Sequence, residues 1–432
     1  MSKKKAIGFW GGVAIGVGGM VGAGIFSLLG VAGRLAGNAT FLAFIIAGLV
    51  ALASVYSFAK LAVKYPSAGG TVEFLVRGWG PGVVSGGINI LLWITYVVGL
   101  ALFARAFGGY ARSFLAAGAS PAWTNVFATA IVLIFLGINL VGARAVGKAE
   151  VLIVGLKVAV LVGLAGVGLF FAKPALLSPS SWPSAPNVLY GAAVVFLAYA
   201  GFGLIATAAD DMENPRRTVP RALYAAIFLV MLIYVSVSVM AFGNLPVANI
   251  VKAQDYTLAE AARPFLGTWG FKVVAATALF STASAINAQL YGATNISYVT
   301  AKEGELPALF ERRTWRNNRE GLYITAALTL LCANLLDLER IAALASGGFL
   351  IVYGAVNAGH LKLYRETGAR PGLIWLALAG CLAAFAVLVY YVLRHSPVTL
   401  AVLAGVVALS FVAERLYRRH RPRPSGASGP TA

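Results

Sequence analysis

The sequence predicts an all-α polytopic membrane protein of about twelve transmembrane helices. Three observations carry that expectation: apolar runs of membrane-spanning length, a shortage of charge, and basic residues gathered on alternate connections. Hydrophobic residues make up 59% of the 432-residue chain and charged residues only 11%, against roughly 25% charged in soluble domains. Mean hydropathy is +0.82. A soluble fold of this size has no core able to hide so much apolar surface. The composition excludes a cytosolic enzyme, a secreted module and a disordered chain.

Stretches of about 20 apolar residues, enough to cross a bilayer, occur at 7–36, 39–63, 82–111, 122–142, 149–172, 187–209, 219–242, 266–300, 321–336, 340–361, 371–393 and 397–414. Of the 34 lysines and arginines, 24 fall in the N-terminal segment, the even-numbered connections and the C-terminal segment; 9 fall on the other side, and Lys157 lies inside a span. By the positive-inside rule, both termini are cytoplasmic and the chain is a multi-pass protein of the plasma membrane. The net charge of +19 then has a topological origin, and no nucleic-acid partner is implied.

Lys3, Lys4 and Lys5 precede an apolar run about twice the length of a signal-peptide core and rich in glycine, so it reads as a retained helix. Residues 420–432, HRPRPSGASGPTA, read as a disordered cytoplasmic tail. Cys332 and Cys381 sit inside apolar runs as small core residues, with no disulfide framework.

The first span holds GVGGMVGAGIF over residues 16–26. Clustered glycines weaken helix continuity, although Gly18 and Gly22 also satisfy a small-xxx-small packing motif. The sixth span reads AVVFLAYAGFGLIATAADD over residues 193–211, with Gly201 and Gly203 near its middle. Glycine-broken spans at corresponding positions of two halves point to an inverted-repeat transporter. On this reading residues 7–172 (spans one to five) and 187–361 (spans six to ten) are two five-helix repeats of opposite orientation. Residues 371–419 add helices eleven and twelve.

Unwound backbone at membrane depth is tolerated where it lines a cavity. A half-helix starting near Gly22, Ala23 and Gly24 aims free N–H groups and a positive dipole end there, fitting a carboxylate. Carbonyls freed near Met20, Leu197 and Ala200 fit an ammonium. A site with both poles fits a zwitterion, and an amino acid is the simplest one.

Several stretches resemble the amino acid–polyamine–organocation superfamily of LeuT-like fold. They are GVGGMVGAGIFSL in the first helix, SFAKLAVKYPSAGGTVEF (57–74) after the second, and FLAYAGFGLIATAADDMENPRRTVPRAL (196–223) through the sixth helix and next loop. The resemblance covers residues 5–420 in order. LLWITYVVGLALFARAFGGY (91–110) and GKAEVLIVGLKVAV (147–160) look most like its sodium-independent, proton-coupled prokaryotic members of broad specificity.

The resemblance implies that the Ala23 and Gly24 amides meet the substrate carboxylate. It gives the carbonyls of Met20, Leu197 and Ala200 to the amino group, and Phe196, Tyr199 and Phe202 to the wall or gate of the side-chain pocket. Many relatives carry an acid where this chain has Gly203, which speaks against polyamine or arginine selectivity.

Lys157 has no acid within a helical turn, since positions 153, 154, 160 and 161 are Ile, Val, Val and Leu. An intramembrane ionisable group is functional by default; the other reading is snorkelling toward the membrane edge near Glu150. The resemblance implies that the Lys157 ammonium stands where sodium-coupled relatives bind a cation, between Gly19 of helix one and Ser281–Ser284 of helix eight. Ala283 removes a hydroxyl that a sodium site would use.

Asn89, Trp93 and Tyr96 share one face of helix three, open to packing or a pocket wall. Ser281, Ser284 and Asn287 fit interhelical bonds. Asp210, Asp211 and Glu213 with Arg216 and Arg217 read as a solvated face of helix six rather than an inner gate. His360, His395 and His420 lie near membrane edges. No catalytic or metal-binding motif appears, and the 302–320 loop carries no signature. An intramembrane enzyme would need buried acids, histidines or metal ligands, and a channel would need a repeated filter or charged rings. The expectation is therefore a secondary transporter of neutral amino acids, a proton symporter or an exchanger, with no cofactor and no required oligomer.

Overall fold

The computed structural model describes residues 7–22, 24–116, 118–141, 146–302 and 320–420. They form α1 (Phe9–Val21), α2 (Gly24–Ala36), α3 (Thr40–Lys64), α4 (Thr71–Trp79), α5 (Val83–Arg112), α6 (Ala122–Val141), α7 (Val146–Phe170) and α8 (Ala185–Val195). There follow α9 (Gly203–Thr207), α10 (Pro215–Asn244), α11 (Val247–Ala253), α12 (Thr257–Lys302), α13 (Glu320–Leu335), α14 (Leu338–Thr367), α15 (Pro371–His395) and α16 (Pro397–His420). No strand occurs among the described residues.

Ten helical runs are long and apolar enough to cross a membrane, with α2 and α3 counting as one; α1 and α13 are shorter apolar helices. Each of the twelve apolar stretches has a helical counterpart. The first is divided into α1 and α2, and the sixth into α8, a 3-10 segment over Phe196–Phe202, and α9.

The boundaries moved where the sequence carried competing signals. α4 was not anticipated: it is only nine residues long and follows a turn in which Gly70 takes φ 49°. α12 begins before its apolar stretch and bends at Gly267, whose φ of 63° no ordinary residue adopts readily. α16 continues past residue 414 into charged sequence, where Glu414 and Arg418 form an i,i+4 ion pair. The 302–320 loop, except its end residues, and the tail beyond His420 lie outside the described residues.

α5 is the central post. Of its most apolar window 94% is buried, and it packs against α6, α12, α13, α14 and α16. The corresponding windows of α6 and α16 are 22% buried and that of α15 28%, so these three form the rim. Leu133, Leu376 and Leu409 stand exposed on them, as a lipid-facing belt requires and a water-facing one does not.

α1 crosses α10 and the 3-10 segment. Before α1, Ile7 forms an isolated parallel bridge with Met212: the Ile7 N–H donates to the Asp211 carbonyl at 3.2 Å, and the Glu213 N–H donates to the Ile7 carbonyl at 2.9 Å.

Candidate functional site

The last turn of a helix leaves carbonyls without intrahelical donors. In α1 three side chains from three other helices meet them. The Lys157 Nζ of α7 donates to the Gly18 carbonyl at 3.2 Å. The Tyr234 hydroxyl of α10 donates to the Met20 carbonyl at 2.6 Å. Ser281 of α12 donates to the Gly22 carbonyl, with Val21 also in reach at 3.4 Å. Lys157 is 1% exposed, so its ammonium lies at the negative end of the α1 dipole, where a cation is favoured. Gly19 is the residue expected beside this ammonium. One residue further along, about 100° around the helix, Gly19 lies against Gly201 instead.

The glycines at the break are forced by proximity. A Cβ on Gly22 would stand 2.9 Å from the Ala285 Cβ, and one on Gly24 would stand 2.6 Å from the Tyr234 hydroxyl. Ala23 lies outside the described residues. Gly24 opens α2, a helix buried along nearly its whole length.

The interruption of the sixth span is a seven-residue 3-10 segment, beginning at Phe196, ahead of the two glycines that marked it in the sequence. Such segments are usually three or four residues long and often mark hinges. Its period of three aligns residues i and i+3, which sorts the expected site residues onto two faces. Phe196, Tyr199 and Phe202 fall on one, and they pack away from the cavity. The Phe196 ring lies 6.0 Å from that of Tyr353, the Tyr199 ring 5.3 Å from Tyr234, and the Phe202 ring 5.0 Å from Phe58. The Tyr199 hydroxyl donates to the Phe44 carbonyl at 2.9 Å. Leu197 and Ala200 fall on the other face and line the cavity.

Two of the three carbonyls expected to meet an ammonium already accept hydroxyls: Met20 from Tyr234, and Ala200 from Tyr353 of α14. Tyr234 reaches the Ala198 carbonyl as well, at 3.2 Å. The Ala200 carbonyl also accepts from the Gly203 N–H, so both of its lone pairs are engaged. These tyrosines escaped the sequence analysis, although a buried tyrosine hydroxyl does need a partner.

The cavity is about 210 Å³ in volume. Its walls are Ala14, Ile15, Gly18 and Gly19 of α1, Tyr96 and Phe103 of α5, and Val154 of α7. Leu197, Ala200 and Gly201 of the 3-10 segment, Leu204 of α9 and Phe349 of α14 continue them, and α12 adds Ala285, Ala288, Gln289 and Gly292. Small and apolar residues dominate. Gln289 brings a side-chain amide, donating to the Tyr96 carbonyl at 2.9 Å; unlike Ser281, Ser284 and Asn287 of the same span, it carries no signal in the sequence that marks it as a cavity residue. Through Gly18 and Ala285 the cavity adjoins the Lys157 corner.

Other expected residues lie elsewhere. Trp93 turns to α13, donating to Thr325 at 3.2 Å, whereas Tyr96 of the same face reaches the cavity. Asn287 accepts from Asn139 at 2.9 Å. Ser284 is buried on α12 near Ser281. Asp210, Asp211, Glu213, Arg216 and Arg217 are exposed. His360 and His395 bond Thr367 and the Tyr391 carbonyl, away from the cavity.

Two interrupted helices crossing beside a buried cavity, within a bundle of membrane-length helices, is the build of a helical membrane transporter. The amino acid permease family matches residues 7–412, and the chain belongs to that family. It is 40% identical over 390 residues to an uncharacterized protein of Methanocaldococcus jannaschii, covering 90% of each chain. It is 36% identical to the inner membrane transport protein YbaT of Escherichia coli, covering 96% of this chain and 97% of that one. The branched-chain amino acid permease BcaP of Bacillus subtilis is 22% identical over 86% of this chain and 83% of its own. The protein is accordingly a membrane transporter and not an enzyme.

Proposed function

We propose that the protein carries small neutral amino acids by alternating access, as a sodium-independent symporter that moves a proton on Lys157. The observation that carries this reading is the buried Lys157 ammonium on the Gly18 carbonyl beside Ser281. A resident cation at the end of α1 stands in for a bound metal ion, and the hydration of the amine sets how firmly it holds its proton. A change of facing that wets or dries this corner loads or releases the proton.

The substrate carboxylate lies at the N-terminus of α2 near Ala23 and Gly24. Its ammonium meets the Leu197 and Met20 carbonyls, and that of Ala200 in exchange for the Tyr353 hydroxyl, and its side chain enters the apolar cavity. The cavity volume and the lack of a charged lining side chain support a neutral substrate. Residues 7–172 and 187–361 act as two inverted repeats whose interruptions meet at the site, with 371–419 appended. Both termini face the cytoplasm of a plasma-membrane protein, and one copy suffices.

The test is uptake of radiolabelled alanine by purified protein in liposomes, under an imposed proton gradient, a sodium gradient or neither. The expected result is proton-driven, sodium-indifferent accumulation that Lys157→Ala uncouples. Uptake only into vesicles preloaded with amino acid would make the protein an exchanger and Lys157 a structural counter-charge. No uptake of any amino acid would overturn the substrate assignment.

A further inference from the structure

Away from the transport cavity, two further cavities meet at a pair of tyrosines. One, of about 510 Å³, is lined by Lys60, Lys64 and Arg216 together with Tyr56 and Tyr224, and no carboxylate is among its lining residues. The other, of about 440 Å³, continues from Tyr56 and Tyr224 along Leu49, Leu52, Leu373 and Leu376. The first is basic and the second apolar.

Both run along one face of α3. Positions 49, 52, 56, 60 and 64 recur at the three- and four-residue spacing of a helix stripe, from Leu49 near mid-membrane to Lys64 at the helix end. The fifteen steps between them span roughly 22 Å at 1.5 Å per residue, about half of a 40–45 Å bilayer. α10 supplies the opposite wall with Arg216, Pro220 and Tyr224, a second stripe of four-residue spacing. The α14–α15 turn closes the basic end: Lys60 donates to the Gly368 carbonyl at 3.1 Å, and Tyr56 accepts from the Arg370 N–H at 2.7 Å. An ammonium carries three donors, so Lys60 keeps capacity for a ligand. Among the described residues, no ion pair engages Lys60, Lys64 or Arg216.

We infer that this groove is a binding site for one anionic phospholipid of the leaflet at the α3 C-terminus. Its phosphate sits among Lys60, Lys64 and Arg216, and an acyl chain lies along Leu49, Leu52 and Leu376. Charge complementarity and leaflet-length apolar continuity together select this occupant. A soluble anion would use only the basic end, and a second copy of the chain would have to present a complementary acidic edge. Basic pockets between membrane helices recognise lipid phosphates by this chemistry. The inference rests on the chain being a membrane protein and not on its substrate or its proton.

The test is native mass spectrometry of the purified full-length protein in detergent, titrated with phosphatidylglycerol, phosphatidylethanolamine or soluble glycerol phosphate. Phosphatidylglycerol should be retained in preference to phosphatidylethanolamine, with apparent affinity falling about fivefold for each of Lys60→Gln, Lys64→Gln and Arg216→Gln. Ala53→Phe, which fills the apolar groove, should weaken retention of phosphatidylglycerol. Equal retention of the two lipids by the wild type would overturn the inference, and this comparison needs no variant to fold. So would displacement of the lipid by glycerol phosphate at equal concentration, or a dimer that replaces the lipid adduct.

Discussion

Gly201 lies against Gly19 where the two interrupted helices cross. A methyl group on Gly201 would stand 2.5 Å from the Gly19 carbonyl carbon and 2.7 Å from the Met20 nitrogen. Both obstacles are backbone, so no side-chain rotation relieves them. Gly201→Ala is expected to destabilise the protein by about 1–3 kcal/mol, the usual range for overpacking, and to depress transport by forcing the crossing apart. Gly137→Ala, at a helical glycine with open space around its Cβ position, should leave uptake unchanged and raise the thermal midpoint slightly, alanine being the better helix former.

The tyrosines that hold the interruptions make a separable prediction. Tyr234→Phe removes the donor to Met20 and Ala198, and Tyr353→Phe the donor to Ala200. A buried acceptor stripped of its partner costs about 1–3 kcal/mol. Thermal unfolding should register a loss of that order for Tyr234→Phe and a smaller one for Tyr353→Phe, because the Ala200 carbonyl keeps the Gly203 N–H. If the freed carbonyls serve the substrate ammonium instead, adding alanine should restore more stability to the variants than to the wild type.

Cavity size should set selectivity. Ala288 projects from α12 into the 210 Å³ space. Ala288→Leu removes room for a substrate side chain without touching the Lys157 corner. Uptake of isoleucine should fall at least about tenfold more than uptake of alanine, a ratio in the range that a few methylenes command. Equal loss of both would show that the side chain is held elsewhere.

Asp255, in the turn between α11 and α12, carries a pH prediction. Burial pushes its carboxyl above the usual carboxylate range, and Arg105 and Arg112 offset part of that rise. The folded value therefore exceeds the unfolded one, near 4. Its favourable contribution is whole below the unfolded value and is lost as pH climbs through the folded one. Thermal stability of the wild type should decline across that window, and Asp255→Asn should flatten the decline. A variant with an unchanged pH profile would assign the decline to another group.

Much of this architecture was legible in the sequence because hydropathy and glycine report on backbone directly. The twelve apolar stretches, the division of the first at Gly22–Gly24 and the placement of Lys157 inside a span all needed only composition along the chain. The 3-10 geometry of Phe196–Phe202 was not legible. The wall or gate role of Phe196, Tyr199 and Phe202 came from the resemblance, and the period of three sets all three on one buried face against Tyr353, Tyr234 and Phe58. Tyr234 and Tyr353 were hidden for another reason: their partners are carbonyls, present at every residue, so nothing in the chain singles out Met20 or Ala200 as the acceptor. α4 was obscured by its nine-residue length and the glycines ahead of it.

The two strand-like bonds between Ile7 and the Asp211–Glu213 segment have a mechanical meaning. They yoke the foot of α1 to the chain that leaves α9, so the two half-helices below the Gly19–Gly201 fulcrum share one splint. Any stroke that pries α1 outward on that side must swing α9 with it or snap both bonds. The foot of α1 and the chain leaving α9 are thus tied on that face, and displacing one carries the other.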